Sequence, residues 1–114
     1  MIKRDIKTSK TFPGYYSLPG CAAVYGENLE ESVLKRLEEK TEIKKEIIRV
    51  KKFNVFYEPD RDPRNHVIGV AFYSIIEQDT EFNLAENVYW IDYEDIENSR
   101  YELAFDHKKV IKSA

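Results

Sequence analysis

Apolar positions recur at helical spacing over one stretch of the chain. Leu29, Val33, Leu34, Leu37 and Thr41 fall three to four residues apart, which predicts an amphipathic helix burying that stripe. Asn28 stands where a cap is needed, and Glu31, three positions on, can bond back to the cap backbone. Glu30 and Glu31 at the start, and Lys35, Arg36 and Lys40 toward the end, suit the helix dipole. Downstream the pattern changes. Residues 46–57, EIIRVKKFNVFY, are β-branched and aromatic and predict a strand. The polar turn EPDRDPRN separates them from HVIGVAFYSII, residues 66–76, whose near-continuous apolar run predicts a central strand covered on both faces. A shorter strand is predicted over 87–92 (NVYWID). A closing helix follows over 105–113, with Asp106 as its cap and Val110 and Ile111 packed inward. Upstream, residues 1–9 read as the end of a strand running into a polar loop, and 11–20 as a loop punctuated by Pro13, Gly14, Pro19 and Gly20. Strands interspersed with two helices predict a mixed α/β domain.

Length and charge narrow this picture. The 114 residues suffice for one core, so residues 1–114 are expected to form a single domain. A hydrophobic share of 42% with 34% charged residues suits a globular chain. A net charge of -3 argues against a nucleic-acid partner held by bulk electrostatics, but leaves room for a local basic pocket and a phosphorylated small molecule. Cys21 is the only cysteine, which excludes an internal disulfide and a thiolate-rich metal site. No apolar run approaches the ~20 residues of a membrane span, and no secretory signal opens the chain, so neither a membrane partner nor export is expected. A reducing cytoplasm is the expected location.

The stretch LPGCAAVYGENLEESVLKRLEEKTEI, residues 18–43, resembles the Nudix hydrolase box: Gly, five residues, Glu, seven residues, then Arg-Glu-aliphatic-x-Glu-Glu-x-Gly-aliphatic. Aligned without a gap, Cys21 stands at the box glycine and Glu27 at the first glutamate. Lys35 falls at the arginine, Arg36 at the next glutamate and Leu37 at the aliphatic position. Glu39 keeps the first glutamate of the pair, Lys40 replaces the second, Glu42 stands at the glycine and Ile43 at the last aliphatic position. The likeness extends along the chain. IKR resembles the end of an early family strand, and GYYSLPG is similar to the Gly-x-Trp-x-Leu-Pro-Gly-Gly segment that leads into the box. DRDPRNHVIGVAFYSII, the segment around Trp90 and LAFDHKKVI resemble parts of the ADP-ribose pyrophosphatase branch.

This resemblance implies a Nudix-type α/β/α sandwich around a mixed sheet, lacking the family's first strand. The open sheet edge that such a loss leaves is expected to favour a homodimer or lower stability. It also implies a magnesium-dependent pyrophosphohydrolase acting on, or binding, a nucleoside diphosphate-linked compound such as ADP-ribose. A second implied reading is a non-catalytic ligand-binding domain related to the sensor half of Nudix-type transcriptional regulators. A third is a decayed fragment.

The chemistry of the box decides between them. Magnesium takes hard oxygen ligands, and glutamates at i, i+3 and i+4 converge on one helix face. Here that face carries Arg36, Glu39 and Lys40, a net positive charge. Such cations repel magnesium by several kcal/mol at an effective dielectric of ~20. Glu39, as a catalytic carboxylate, and Glu27 and Glu39, as metal ligands, are what the box retains. The face is open to three readings: a solvated surface with internal ion pairing, Arg36 or Lys40 contacting a phosphate, or weak turnover with carboxylates from elsewhere. Arg61 and Arg64 are candidates for substrate phosphate or ribose, against a turn pinned by pairing with Asp60 and Asp62. Tyr16, Tyr89 and Trp90 are candidates for stacking a base, against a place in the core. His66 and His107 read as structural, and Cys21 has no partner that marks a nucleophile.

Overall fold

A computed structural model of the protein describes residues 1–77, 80 and 83–114. Two short strands, β1 (Ile2–Lys3) and β2 (Tyr16–Ser17), pair antiparallel with Ile2 opposite Ser17. Each gains a neighbour through a single bridge: Val88 beside Ile2, antiparallel, and Leu103 beside Tyr16, parallel. Lys3 N–H donates to Asn87 O at 2.9 Å and Tyr89 N–H to Met1 O at 2.8 Å, so β1 has backbone partners on both sides. β1 itself is therefore not an open edge, because the chain returns through 87–89 beside it. The predicted strand over 87–92 shrinks to this bridge.

Helix α1 spans Leu29–Thr41, as the periodicity predicts. Asn28 caps it, its side-chain oxygen accepting from Glu30 N–H at 2.9 Å. Val33, Leu34 and Leu37 are half-buried and Thr41 is fully buried. Thr41 tolerates burial because its hydroxyl donates to Leu37 O at 2.6 Å and accepts from Ile43 N–H at 3.2 Å. Leu29, expected in the stripe, lies on the first turn, and burial on that face starts at Ser32; it is 43% exposed.

The strand predicted over 46–57 is shorter than its composition suggests. Lys45–Ile47 form a 3-10 turn that drives Ile48 into the core, and β3 begins only at Lys51 and ends at Phe56. β3 pairs antiparallel with β4 (Gly69–Tyr73), with a register shift between Lys52 and Asn54. β4 is not covered on both faces among the described residues: Ile68 and Ile75, which flank it, and Tyr73 within it are all exposed. A two-stranded ribbon has only one face to pack, which the apolar run did not reveal.

Two helices close the chain. α2 (Tyr93–Glu97) is a five-residue element with no counterpart in the hydrophobic pattern, and it buries Ile96. α3 (His107–Ser113) matches the predicted closing helix, with Val110 buried and Ile111 half-buried. Asp106 occupies its cap position but makes no side-chain cap bond, being engaged elsewhere. Ile43, Ile48, Phe56, Val88, Ile96, Ala104 and Val110 form the buried apolar core, drawn from the stretch just after α1, from β3, from the segment beside β1, and from the two short helices and the stretch between them. The mixed α/β class agrees with the sequence.

Candidate functional site

On the box face of α1, every charged side chain already has a partner. Arg36 Nη1 donates to Glu39 Oε2 at 3.1 Å, one helical turn on, with both side chains about half exposed. Such an exposed pair contributes only a few tenths of a kcal/mol to stability. Its effect on chemistry is larger, because it places a guanidinium against the one glutamate that this face retains. Lys40 Nζ donates to the carbonyl oxygen of Gly20, which ties α1 to the loop that follows β2. Glu27 sits before the helix, accepts from Ser32 Oγ at 2.6 Å and lies 3.9 Å from Lys35 Nζ.

Glu27 and Glu39 are each engaged separately: the Glu27 carboxylate by Ser32 and Lys35, that of Glu39 by Arg36. Magnesium demands several oxygen ligands in near-octahedral array at about 2 Å. Among the described residues, no group of three or more His, Cys, Asp or Glu side chains could hold a metal ion. The donor set of α1 does not fit magnesium.

The loop at 58–67 is held rather than free. Arg64 Nη2 donates to Asp62 Oδ2 at 2.7 Å and its Nε to Oδ1 at 3.0 Å, so the arginine pins its own turn. These bonds hold the Asp62 carboxyl below the ordinary carboxylate range and raise Arg64 above its ordinary value. Arg61 does not close its own turn in this way. It reaches across the molecule to Asp106, which starts α3, and it also donates to Val67 O. That contact takes the oxygens which were expected to cap α3.

One residue further on, His107 accepts from Leu18 N–H through Nδ1 at 3.0 Å. Burial pushes the His107 imidazole down to about 4, Asp106 opposing the shift and Arg61 and Arg4 adding to it. The neutral ring is thus the form that holds the Leu18-Pro19-Gly20 loop. Arg61, Asp106, His107, Leu18, Gly20 and Lys40 form a connected path from the 58–67 loop to α1. Sequence reasoning missed the His107 and Lys40 links, since nothing local marks a contact across 89 or 20 residues.

The aromatic candidates separate into two kinds. Tyr16 is half-buried and packs edge-on against Tyr89 and Tyr101, at centroid distances of 5.9 and 5.1 Å, with Lys3 Nζ 5.9 Å from its ring. Tyr89 and Trp90, for which a core position was expected, are 45% and 64% exposed. The segment is tied to β1 by its backbone, with Val88 turned inward and Tyr89 and Trp90 outward. His66 is exposed and its Nε2 lies 3.1 Å from Tyr57 O. No helix among the described residues is long and apolar enough to cross a membrane.

Comparison with known proteins places this geometry. A family model described as the NUDIX domain matches residues 1–114. The chain is 35% identical over 113 residues to an ADP-ribose pyrophosphatase of Methanocaldococcus jannaschii, covering 98% of this chain but only 62% of that protein. A crystal structure of a mutT/nudix family protein from Listeria innocua superposes with a TM-score of 0.71 at 29% identity, covering 98% of this chain and 74% of that one. A MutT/nudix family protein from Enterococcus faecalis gives 0.67 at 25% identity, covering 99% and 51%.

Proposed function

Because the chain belongs to the Nudix family, we propose that it binds a nucleoside diphosphate-linked compound such as ADP-ribose and cleaves it weakly or not at all. The ligand class is supported by the 35% identity to a protein named as an ADP-ribose pyrophosphatase. The impaired cleavage rests on one observation: Arg36 bonds Glu39 and Lys40 bonds Gly20 O on the face where the box would gather its carboxylates. A cation positioned there stabilises phosphate charge without activating water, so binding outlasts hydrolysis. Arg36 and Lys40 are the proposed phosphate contacts on α1, each by exchanging its present partner for a phosphate oxygen. Arg61 and Arg64 serve by shaping the adjoining loop, their guanidiniums being committed to Asp106 and Asp62. A homodimer formed by strand addition would use an edge of β3 or β4, because β1 already has two neighbours.

The test is one sample read two ways. Incubation with ADP-ribose and magnesium or manganese is followed for AMP, and the same mixture for a thermal shift. A shift without AMP is expected, since a ligand that binds the native state raises its stability. Turnover at the rate of a working pyrophosphatase would overturn the impaired site, and neither shift nor AMP would leave a fold without this ligand.

A further inference from the structure

Resting on the reading that a diphosphate-linked compound meets the box face of α1, we infer that this protein takes it as the free anion and not as a complex with a divalent cation. Three oxygen groups stand at or beside that face, and each is held by a cation of the chain itself. The Glu39 carboxylate accepts from Arg36 Nη1 at 3.1 Å. The Glu27 carboxylate lies 3.9 Å from Lys35 Nζ and accepts from Ser32 Oγ. The Gly20 carbonyl accepts from Lys40 Nζ. A divalent ion needs such hard oxygens for itself. Here it would have to displace an attached cation from each one, and each displaced cation would stay tethered nearby to repel it.

The balance of charge gives the sign. Among these groups Lys35, Arg36 and Lys40 face only Glu27 and Glu39, three positive charges against two negative. Lys40 carries the surplus: its partner is a neutral carbonyl, and no carboxylate pairs with it among the described residues. That ammonium is held at the position where the box has its second paired glutamate. A diphosphate complexed by magnesium has two of its negative charges cancelled by the ion. The free anion keeps them and is drawn more strongly to a face with surplus positive charge. Guanidinium and ammonium N–H groups bond phosphate oxygens directly, the guanidinium two at a time. They take over the neutralising part of a metal's role, though not its activation of water. The existing pair does not oppose the exchange, since the Arg36 and Glu39 side chains are each 48% exposed and such a pair is weak.

The experiment reads metal and ligand separately. Manganese(II) alone is titrated into the isotope-labelled full chain, and paramagnetic broadening of the amide signals is followed by NMR. Residues 20, 27 and 36–40 should broaden no more than exposed acidic segments elsewhere, and R36E/K40E should broaden there selectively and saturably. R36E alone keeps the Lys40–Gly20 bond and should show a weaker form of the same effect. In parallel, ADP-ribose is titrated by calorimetry in EDTA, and again with enough magnesium to complex half of it. Binding is expected in EDTA, and about twofold weaker once half the ligand is complexed, because only the free fraction competes for the face. K40Q should weaken binding in EDTA about fivefold, the scale of one lost attraction in screened water. Selective broadening at 36–40 in the parent, ADP-ribose binding that needs or is tightened by magnesium, or undiminished binding by K40Q would each overturn the inference and leave the ligand reading standing. No ADP-ribose binding in either buffer would instead overturn the ligand reading, and the free-anion form with it.

Discussion

Arg61 grips Asp106 through two hydrogen bonds, Nε to Oδ2 at 2.9 Å and Nη2 to Oδ1 at 3.0 Å, across 45 residues of sequence. Their side chains are only 11% and 15% exposed. Removing one partner from such a pair strands the other charge out of water. Asp106→Ala is expected to cost roughly 3 kcal/mol in urea unfolding, whereas Arg61→Met with Asp106→Leu should cost clearly less. Gly69 reports on the same clasp. A Cβ there would lie 2.9 Å from Arg61 Nη1, and the clasp prevents the guanidinium from moving aside. Gly69→Ala should destabilise the parent by about 1–2 kcal/mol and the doubly substituted background by much less, a coupling that unfolding midpoints will show.

Acid should weaken the protein well before its carboxylates titrate. His107 is neutral down to about 4 when folded and titrates near 6.5 when unfolded. Between those values the unfolded chain holds more protons, so stability falls as pH falls from 6.5 toward 4 and is unaffected above. The full difference corresponds to about 3 kcal/mol, with about 2 kcal/mol of it lost between pH 7 and pH 5. Asp62 acts in a lower window: its depressed carboxyl contributes stability that is lost only as pH drops below the ordinary aspartate value. Denaturant midpoints at pH 7 and pH 5 test this, and His107→Gln, which keeps an acceptor for Leu18 N–H, should flatten the difference.

Glu42 ends α1 in the left-handed region, at φ 65, with its N–H on Glu38 O at 2.8 Å. It stands at the position where the Nudix box has glycine. A helix that ends this way is best served by a residue without a Cβ. Glu42→Gly should therefore stabilise the protein by about 1 kcal/mol, read as a raised thermal midpoint. An unchanged or lowered midpoint would show that the Glu42 side chain makes up the strain.

Recharging α1 tests the proposal that the cations on its box face keep magnesium away. Arg36→Glu with Lys40→Glu restores carboxylates at i, i+3 and i+4 around Glu39. Calorimetry should then register magnesium binding in the roughly millimolar range, against none in the parent. Absence of a gain would locate the defect outside this face.

What the sequence reveals here is mostly local physics. α1 was legible because periodicity, cap and dipole charges act within a few residues. The Arg64–Asp62 pair was legible for the same reason. Arg61 was not: the nearest acids, Asp60 and Asp62, offered themselves, while the true partner lies on another element. The run over 66–76 misled because apolar composition records a preference for strands, not how many neighbours a strand acquires. α2 is too short for any period to show. The altered charge of the box was plain in the residue types, and ion pairing within the face was one reading of them, but that Lys40 reaches Gly20 O and that Glu27 is engaged by Ser32 needed three dimensions.

The Lys40–Gly20 bond makes a strut of the side chain that stands where the box has its second paired glutamate. A carboxylate put back at that position would face the carbonyl oxygen, acceptor against acceptor, and the loop that Lys40 now anchors would have to find another hold. Lys40→Glu is therefore expected to loosen this loop as well as to change the charge of the face, so any gain in ligation at this corner carries a structural cost.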